Sequence, residues 1–213
     1  MSETNAEFRN VSPIDFSLSA ERNVLISELQ SFWNRGLAKP HVVTSIIDGR
    51  AVRGDAEFLS ISPEDRNLVL AQISPATTEI ASKTLEKLHH FFPKWRAIKV
   101  QERAKVLARA AELMEKKRHE LSAAIVYEAG KPWIEADGDV CEAIDFCNYY
   151  AQEALRISEP QKMGNYPGES NRYFHEPRGL TSVICPWNFP LAIPCGMFAA
   201  AVVTGNTVVL KPA

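Results

Sequence analysis

Two side chains near the end of the sequence stand where they could do chemistry. Asn188 lies inside the loop Cys185-Pro-Trp-Asn-Phe-Pro190, and Lys211 closes the run Thr207-Val-Val-Leu-Lys211. An amide between two prolines is an uncharged donor with restricted freedom. A lysine ammonium donates up to three hydrogen bonds and accepts none, which suits hydroxyl and phosphate oxygens. Three elements must position them. Residues 182–184 read as a short apolar strand, 191–203 as a buried helix, and 207–210 as a β-branched, fully covered parallel strand. Pro194 fits that helix only in its first turn, and Gly205-Asn206 stops it. The result is one βαβ unit with its loop at the carboxyl end of the first strand, where open α/β sheets bind ligands. On residue types alone a second reading stands beside this one, with Asn188 capping the helix and Lys211 a solvated strand end.

Other chemistries find no support in the sequence. The four cysteines, 141, 147, 185 and 195, form no CxxC pair and sit in helical or apolar contexts. The histidines at 41, 89, 90, 119 and 175 have no zinc-site spacing. There is no Gly-x-Ser-x-Gly elbow and no G-x-G-x-x-G fingerprint. One further carboxylate stands out: Glu142 shares a helix face with Phe146 and Tyr149, beside two aromatic rings. The neighbouring acids at 135, 137 and 139 read as solvated charges in the first half of that helix.

The chain has 213 residues, 46% of them apolar, and a net charge of −2. That is enough for a real core, and it offers no basic field for nucleic acid or an anionic membrane. The longest apolar run, 191–203, contains Pro and Gly and falls short of the roughly 20 residues a spanning helix needs. The first ten residues lack the apolar segment of a secretory signal. These features predict a cytoplasmic protein, or a mitochondrial matrix protein in a eukaryote, with no membrane and no nucleic-acid partner. The sequence closes directly after an apolar strand that should be central, and this predicts the amino-terminal part of a longer protein.

In chain order, residues 1–15 are expected to be a mobile arm. A helix follows over 18–37, with Ser19 as N-cap and Gly36 near its stop. Residues 42–73 read as small antiparallel strands, with Asp48-Gly49 as a hairpin turn. Helices are then predicted from Thr78 to Phe92, stopped by Pro93, from Val100 to His119, and from Leu121 to Ala129, capped by Gly130. The second should bury Ala104, Leu107 and Ala111 and turn a basic face, including Arg118, to solvent. A fourth helix, 133–157, should bury Val140, Ile144, Cys147, Ala151 and Leu155. Residues 158–170 read as a connector, and 171–177 as a strand interrupted by Pro177.

Two motifs carry a family resemblance: Pro186-Trp187-Asn188-Phe189-Pro190-Leu191 and Gly205-Asn206-Thr207-Val208-Val209-Leu210-Lys211-Pro212. Their order and spacing resemble the aldehyde dehydrogenase superfamily. The resemblance implies that Asn188 donates its amide to the oxyanion formed when a cysteine attacks the aldehyde. It implies that Ile184, Cys185, Pro186 and Trp187 line the NAD site and that Lys211 hydrogen-bonds the adenosine ribose. The run Glu128-Ala-Gly-Lys-Pro-Trp-Ile-Glu-Ala-Asp137, with Glu142-Ala-Ile-Asp-Phe146, Tyr149-Tyr-Ala151 and Ile14-Asp-Phe16, is similar to one branch. That branch oxidises L-glutamate γ-semialdehyde to L-glutamate in proline breakdown, and Glu142 matches its substrate-site glutamate. The implied fold is α/β, an incomplete Rossmann-type parallel sheet with helices plus small antiparallel bridging strands. The implied division is an arm at 1–17, the start of the NAD-binding domain at 18–170, an oligomerisation strand at 171–179 and the dinucleotide-binding βαβ unit from 180. The implied partners are a small aldehyde and further copies of the chain. The nucleophilic cysteine, the general base and the pyrophosphate turn are expected beyond Ala213.

Overall fold

A computed structural model of the chain describes residues 7–213. Its centre is a helical layer made from residues spaced three and four apart. Ala104, Leu107 and Ala111 of α3 (Val100–Lys116) face Ala136, Val140, Ile144, Cys147, Ala151 and Ala154 of α5 (Trp133–Ser158). Ala199 and Val203 of α6 (Ala192–Val203) complete this core. The fourth helix thus runs as predicted, except that Ala154 takes the buried place expected of Leu155, which is 38% exposed. Small side chains let these helices approach closely. At Gly196 an added Cβ would lie 2.8 Å from Cδ2 of Phe146, so only glycine fits where α6 crosses α5.

The βαβ unit is present. Strand β7 (Leu180–Ile184) and strand β8 (Thr207–Lys211) pair in parallel, with Leu180 opposite Thr207 and Ile184 opposite Lys211. Pro194 occupies the first turn of α6, as required of a residue without an N–H. The strands are not fully covered, however. Thr207 is buried, whereas Leu210 is 40% and Ile184 73% exposed, so burial is lost toward the carboxyl edge.

A second sheet holds β1 (His41–Ile47), β2 (Arg50–Val52), β3 (Phe58–Ile61) and β4 (Val69–Ser74) in the order β2-β1-β4-β3. Asp48 and Gly49 both have positive φ, as the tight β1–β2 hairpin demands. The expectation of wholly antiparallel strands fails in one place, because β1 and β4 pair in parallel. The long excursion through β2 and β3 supplies the crossover that a parallel pair requires. Two short strands, β5 (Gln161–Lys162) and β6 (Arg172–Tyr173), form an antiparallel ribbon. The strand expected over 171–177 is therefore only two residues long, and its partner lies in the predicted connector.

Helix ends differ from the sequence reading where side chains act on the backbone. In α1 (Ser19–Ala38) the N-cap is Leu18, with no side-chain cap, so Ser19 does not cap. The Arg22 guanidinium instead binds the carbonyls of Phe16 and Ser17, at 2.8 and 2.6 Å. Gly36 lies inside the last turn. Helix α2 (Thr78–Arg96) starts from Thr77, whose Oγ1 accepts the Ile80 N–H, and runs through Pro93 to Arg96. A proline this near the end removes one hydrogen bond, so the helix continues. The predicted helix from Val100 to His119 breaks at Lys117, and α4 (Arg118–Ala129) starts there and ends at left-handed Gly130.

The largest departure concerns charge. Arg118, expected on a basic face, is buried and forms a two-pronged ion pair with Asp137, at 2.6 and 2.8 Å. Asp137, read as solvated, is 0% exposed. The same pair holds the amino-terminal segment: Arg118 binds the Ser12 carbonyl at 2.9 Å and Asp137 accepts the Ile14 N–H at 2.9 Å. Asp145 takes the Val11 N–H and the Asn10 amide, at 2.9 and 2.7 Å. Residues 10–14 are therefore fixed, not the mobile arm expected; residues 1–6 of that arm lie outside the described residues. Among the described residues, no helix is long and apolar enough to cross a membrane.

Candidate active-site loop

The parallel register brings the end of β7 and the end of β8 side by side, so Ile184 and Lys211 share one edge. The Cys185 N–H donates to the Lys211 carbonyl at 3.1 Å, which extends the ladder into the loop. Beyond that bond the chain leaves the sheet. Pro186 is half-buried and Trp187 is 77% exposed; Asn188 and Lys211 are exposed. The edge thus presents one cation and one amide beside the apolar surfaces of Ile184 and Trp187. Asn188 does not cap α6: the N-cap is Leu191, whose own side chain makes no cap bond. Asn206 ties the opposite ends of the strands, accepting the Gly179 N–H at 2.9 Å and donating to the Ala201 carbonyl at 3.1 Å.

Asp139, the second acid read as solvated, is buried at the start of α6. One carboxylate oxygen accepts the Ala192 N–H at 2.6 Å and the other meets the Lys131 ammonium at 2.8 Å. A carboxylate is favoured at a helix N-terminus by the helix dipole. Lys131 in turn lies 3.8 Å from the ring centroid of Phe189. The far end of α6 is held by donors of matching sign. Arg103 Nε binds the Val203 carbonyl at 2.8 Å and Trp95 Nε1 the Val202 carbonyl at 3.1 Å. Burial pulls the Arg103 guanidinium below its usual pKa.

Sequence reasoning missed Asp139, Lys131 and Arg103 as parts of the site's support. The signal for Asp139 was its place beside Ala136, Val140 and Ala143, on the stripe that buries α5.

Glu142 is exposed on α5, three residues after Asp139 and so one turn further from the loop. Among the described residues no hydrogen bond or ion pair joins it to Asn188 or Lys211. The expected grouping with two rings is altered. Phe146 stacks on Tyr150 at 5.6 Å, while Tyr149 turns its ring to Phe8 at 5.2 Å.

None of the four thiols is poised to attack a substrate. Burial, with Asp137 nearby, pushes Cys141 up to about 11. Cys195 is raised by its hydrogen bond with Cys147, whose sulfur is 3.5 Å away, and by burial. The same bond lowers Cys147, but that thiol is enclosed in the helical core. Cys185 is raised by burial, which outweighs the opposing pull of the Lys211 cation.

A parallel βαβ unit with an exposed loop and a lysine at one carboxyl edge makes this an α/β fold, and open sheets of that class bind ligands at such edges. The chain belongs to the aldehyde dehydrogenase family, whose pattern it matches over residues 51–213, and the resemblance read from its two motifs is borne out. It is 40% identical over 199 residues to 1-pyrroline-5-carboxylate dehydrogenase 1 of Halalkalibacterium halodurans, covering 93% of this chain and 38% of that protein. Among solved structures it is similar to a Thermus 1-pyrroline-5-carboxylate dehydrogenase with bound NAD, with a TM-score of 0.93 and 36% identity, covering 99% of this chain and 40% of that one. Proline utilization A from Bdellovibrio bacteriovorus gives a TM-score of 0.93 at 37% identity, covering 100% of this chain and 22% of that one. The chain spans about two fifths or less of the length of these relatives.

Proposed function

We propose that these residues are the amino-terminal part of an NAD-dependent dehydrogenase that oxidises L-glutamate γ-semialdehyde to L-glutamate. The observation that carries the reading is the shared carboxyl edge, where an exposed Asn188 that caps nothing stands in the loop leading from β7 and Lys211 ends β8. In this reading a cysteine thiolate from the rest of the protein adds to the aldehyde carbon, and the carbonyl electron pair moves onto oxygen. The Asn188 amide donates to that oxygen, which carries negative charge only as the adduct forms. Being uncharged, the amide does not compete for the thiolate.

The exposed apolar surfaces of Ile184 and Trp187, beside the Lys211 cation, fit a dinucleotide with hydroxyl-bearing riboses. NAD, when bound, accepts the hydride that leaves the substrate carbon. Ile184, Cys185, Pro186 and Trp187 line its site, and Lys211 donates to the adenosine ribose. Glu142, exposed on the helix that supports the loop, faces the aldehyde site. Residues 7–17 of the segment lead into 18–170, which open an NAD-binding domain of incomplete Rossmann type, 171–179 serve subunit association, and 180–213 begin the dinucleotide-binding unit. The whole protein assembles as a homo-oligomer.

The test is to purify the full-length protein carrying these residues and follow L-glutamate and NADH together. One NADH formed per L-glutamate is expected. A higher kcat/KM for a simple aliphatic aldehyde, or for NADP in place of NAD, would overturn the assignment.

A further inference from the structure

Asn188 itself is exposed, so something else must fix where its amide points. The loop 185–190 has no regular structure of its own, and the ring just after Asn188 and the first helical amide beyond it are both engaged by one buried pair. Asp139 has a fully buried side chain, and each carboxylate oxygen has a different partner: the Ala192 N–H at 2.6 Å and the Lys131 ammonium at 2.8 Å. Turning the carboxylate to improve one contact would break the other. Lys131, whose side chain is 11% exposed, carries the restraint onward by setting its ammonium against the Phe189 ring. Phe189 directly follows Asn188, so the pair grips the loop on both sides of Leu191. Arg103 and Trp95 hold the other end of α6, which prevents the helix from sliding to relieve strain at its start.

We infer that Asp139 and Lys131 are positioning residues for the Asn188 amide: they act on turnover by holding the loop that aims it, and touch neither substrate nor cofactor. The inference rests on the oxyanion role proposed for Asn188. A loosely held donor loses much of its advantage, since catalysis by a preorganised dipole depends on its being in place before charge develops.

The experiment is a double-mutant cycle in the full-length dehydrogenase, using Asp139→Asn and Asn188→Ala. Asparagine at 139 can still accept from Ala192 through its carbonyl, but it sets an amide N–H₂ against the Lys131 ammonium. Asp139→Asn should lower kcat by about ten-fold, since misplacements of an ångström cost up to roughly 10²-fold, while the NAD dissociation constant stays unchanged. In the Asn188→Ala background the same change should lower kcat by less than about two-fold, because residues that act as a unit are non-additive. If the two effects multiply, Asp139 serves the fold at large and the inference is overturned. An unchanged kcat for Asp139→Asn overturns it as well. If Asn188→Ala alone leaves kcat unchanged, the oxyanion reading itself has failed and takes the inference with it, an outcome distinct from multiplicative losses. Should Asp139→Asn fail to fold, Lys131→Gln takes its place in the cycle. That variant keeps the Asp139–Ala192 bond and removes the cation over Phe189, and the same pattern of non-additivity is required.

Discussion

The βαβ unit from 180 to 211 and the four-stranded sheet from 41 to 74 each contain a parallel strand pair, yet they are held in different ways. In the first, the helix between the strands is gripped at both ends by polar groups, the buried Asp139 at its start and the buried Arg103 with the half-buried Trp95 at its finish. In the second, Val42, Ile46, Phe58 and Leu59 stand exposed, and polar contacts such as Lys87–Asp48 lie at the surface. Apolar contact is non-directional and tolerates small displacements, whereas a hydrogen bond is directional and weakens steeply when its angle is lost. The polar pins hold both ends of the helix, and one of them, Asp139 with Lys131, adjoins the loop that bears Asn188.

The comparison can be broken most decisively at Asp137, which belongs to the same set of buried acids on α5. Asp137→Ala leaves Arg118 buried without its partner and should cost about 3–5 kcal/mol of stability. By contrast, Ile46→Thr at a 70% exposed sheet position should fall within about 0.5 kcal/mol of the parent. Urea unfolding of the two variants side by side measures the difference, and equal midpoints would erase the distinction drawn between the regions. A smaller effect is expected where α6 crosses α5. Gly196→Ala drives a methyl against the Phe146 ring and should cost about 1–3 kcal/mol. A stability equal to that of the parent would show that the crossing is loose.

Smaller still is the effect at the strand edge. Lys211→Ala should raise KM for NAD by about ten-fold, the scale of one charge-assisted hydrogen bond, and move KM for the aldehyde much less. Equal shifts in both would assign Lys211 to the fold. The same variant has a second readout at Cys185. Burial raises that thiol and the Lys211 cation partly offsets the rise. Without the cation the thiol should ionise at higher pH, so the profile of its alkylation rate should move toward higher pH. A profile that stays in place would separate the two side chains.

What was legible in the sequence is local. The βαβ unit, the Asp48-Gly49 turn and the Gly130 cap each depend on residues within a few positions of one another, and family motifs are read the same way. The arrangement of β1 beside β4 was not legible, because it depends on how the chain returns after β2 and β3. The buried acids were missed for a related reason. Asp and Glu are almost never fully buried unless paired, and the partners that pair these two, Arg118 and Lys131, lie outside α5. Helical periodicity did place Asp137 on the stripe of Val140, Cys141 and Ile144. Weighing that position above the residue's charge would have located it inside. For Asn188 the sequence left cap and ligand donor as alternatives, and the first is removed because Leu191 is the N-cap of α6 and Asp139 takes its first N–H.

The central claim is that Asn188 serves an oxyanion, and one variant tests it most directly. In the full-length protein, Asn188→Ala should lower kcat of the proposed reaction by roughly 10²–10³, the cost of losing one positioned donor, with the NAD dissociation constant and the unfolding midpoint unchanged. A kcat equal to that of the parent enzyme, or a loss matched by weakened NAD binding, would contradict the account.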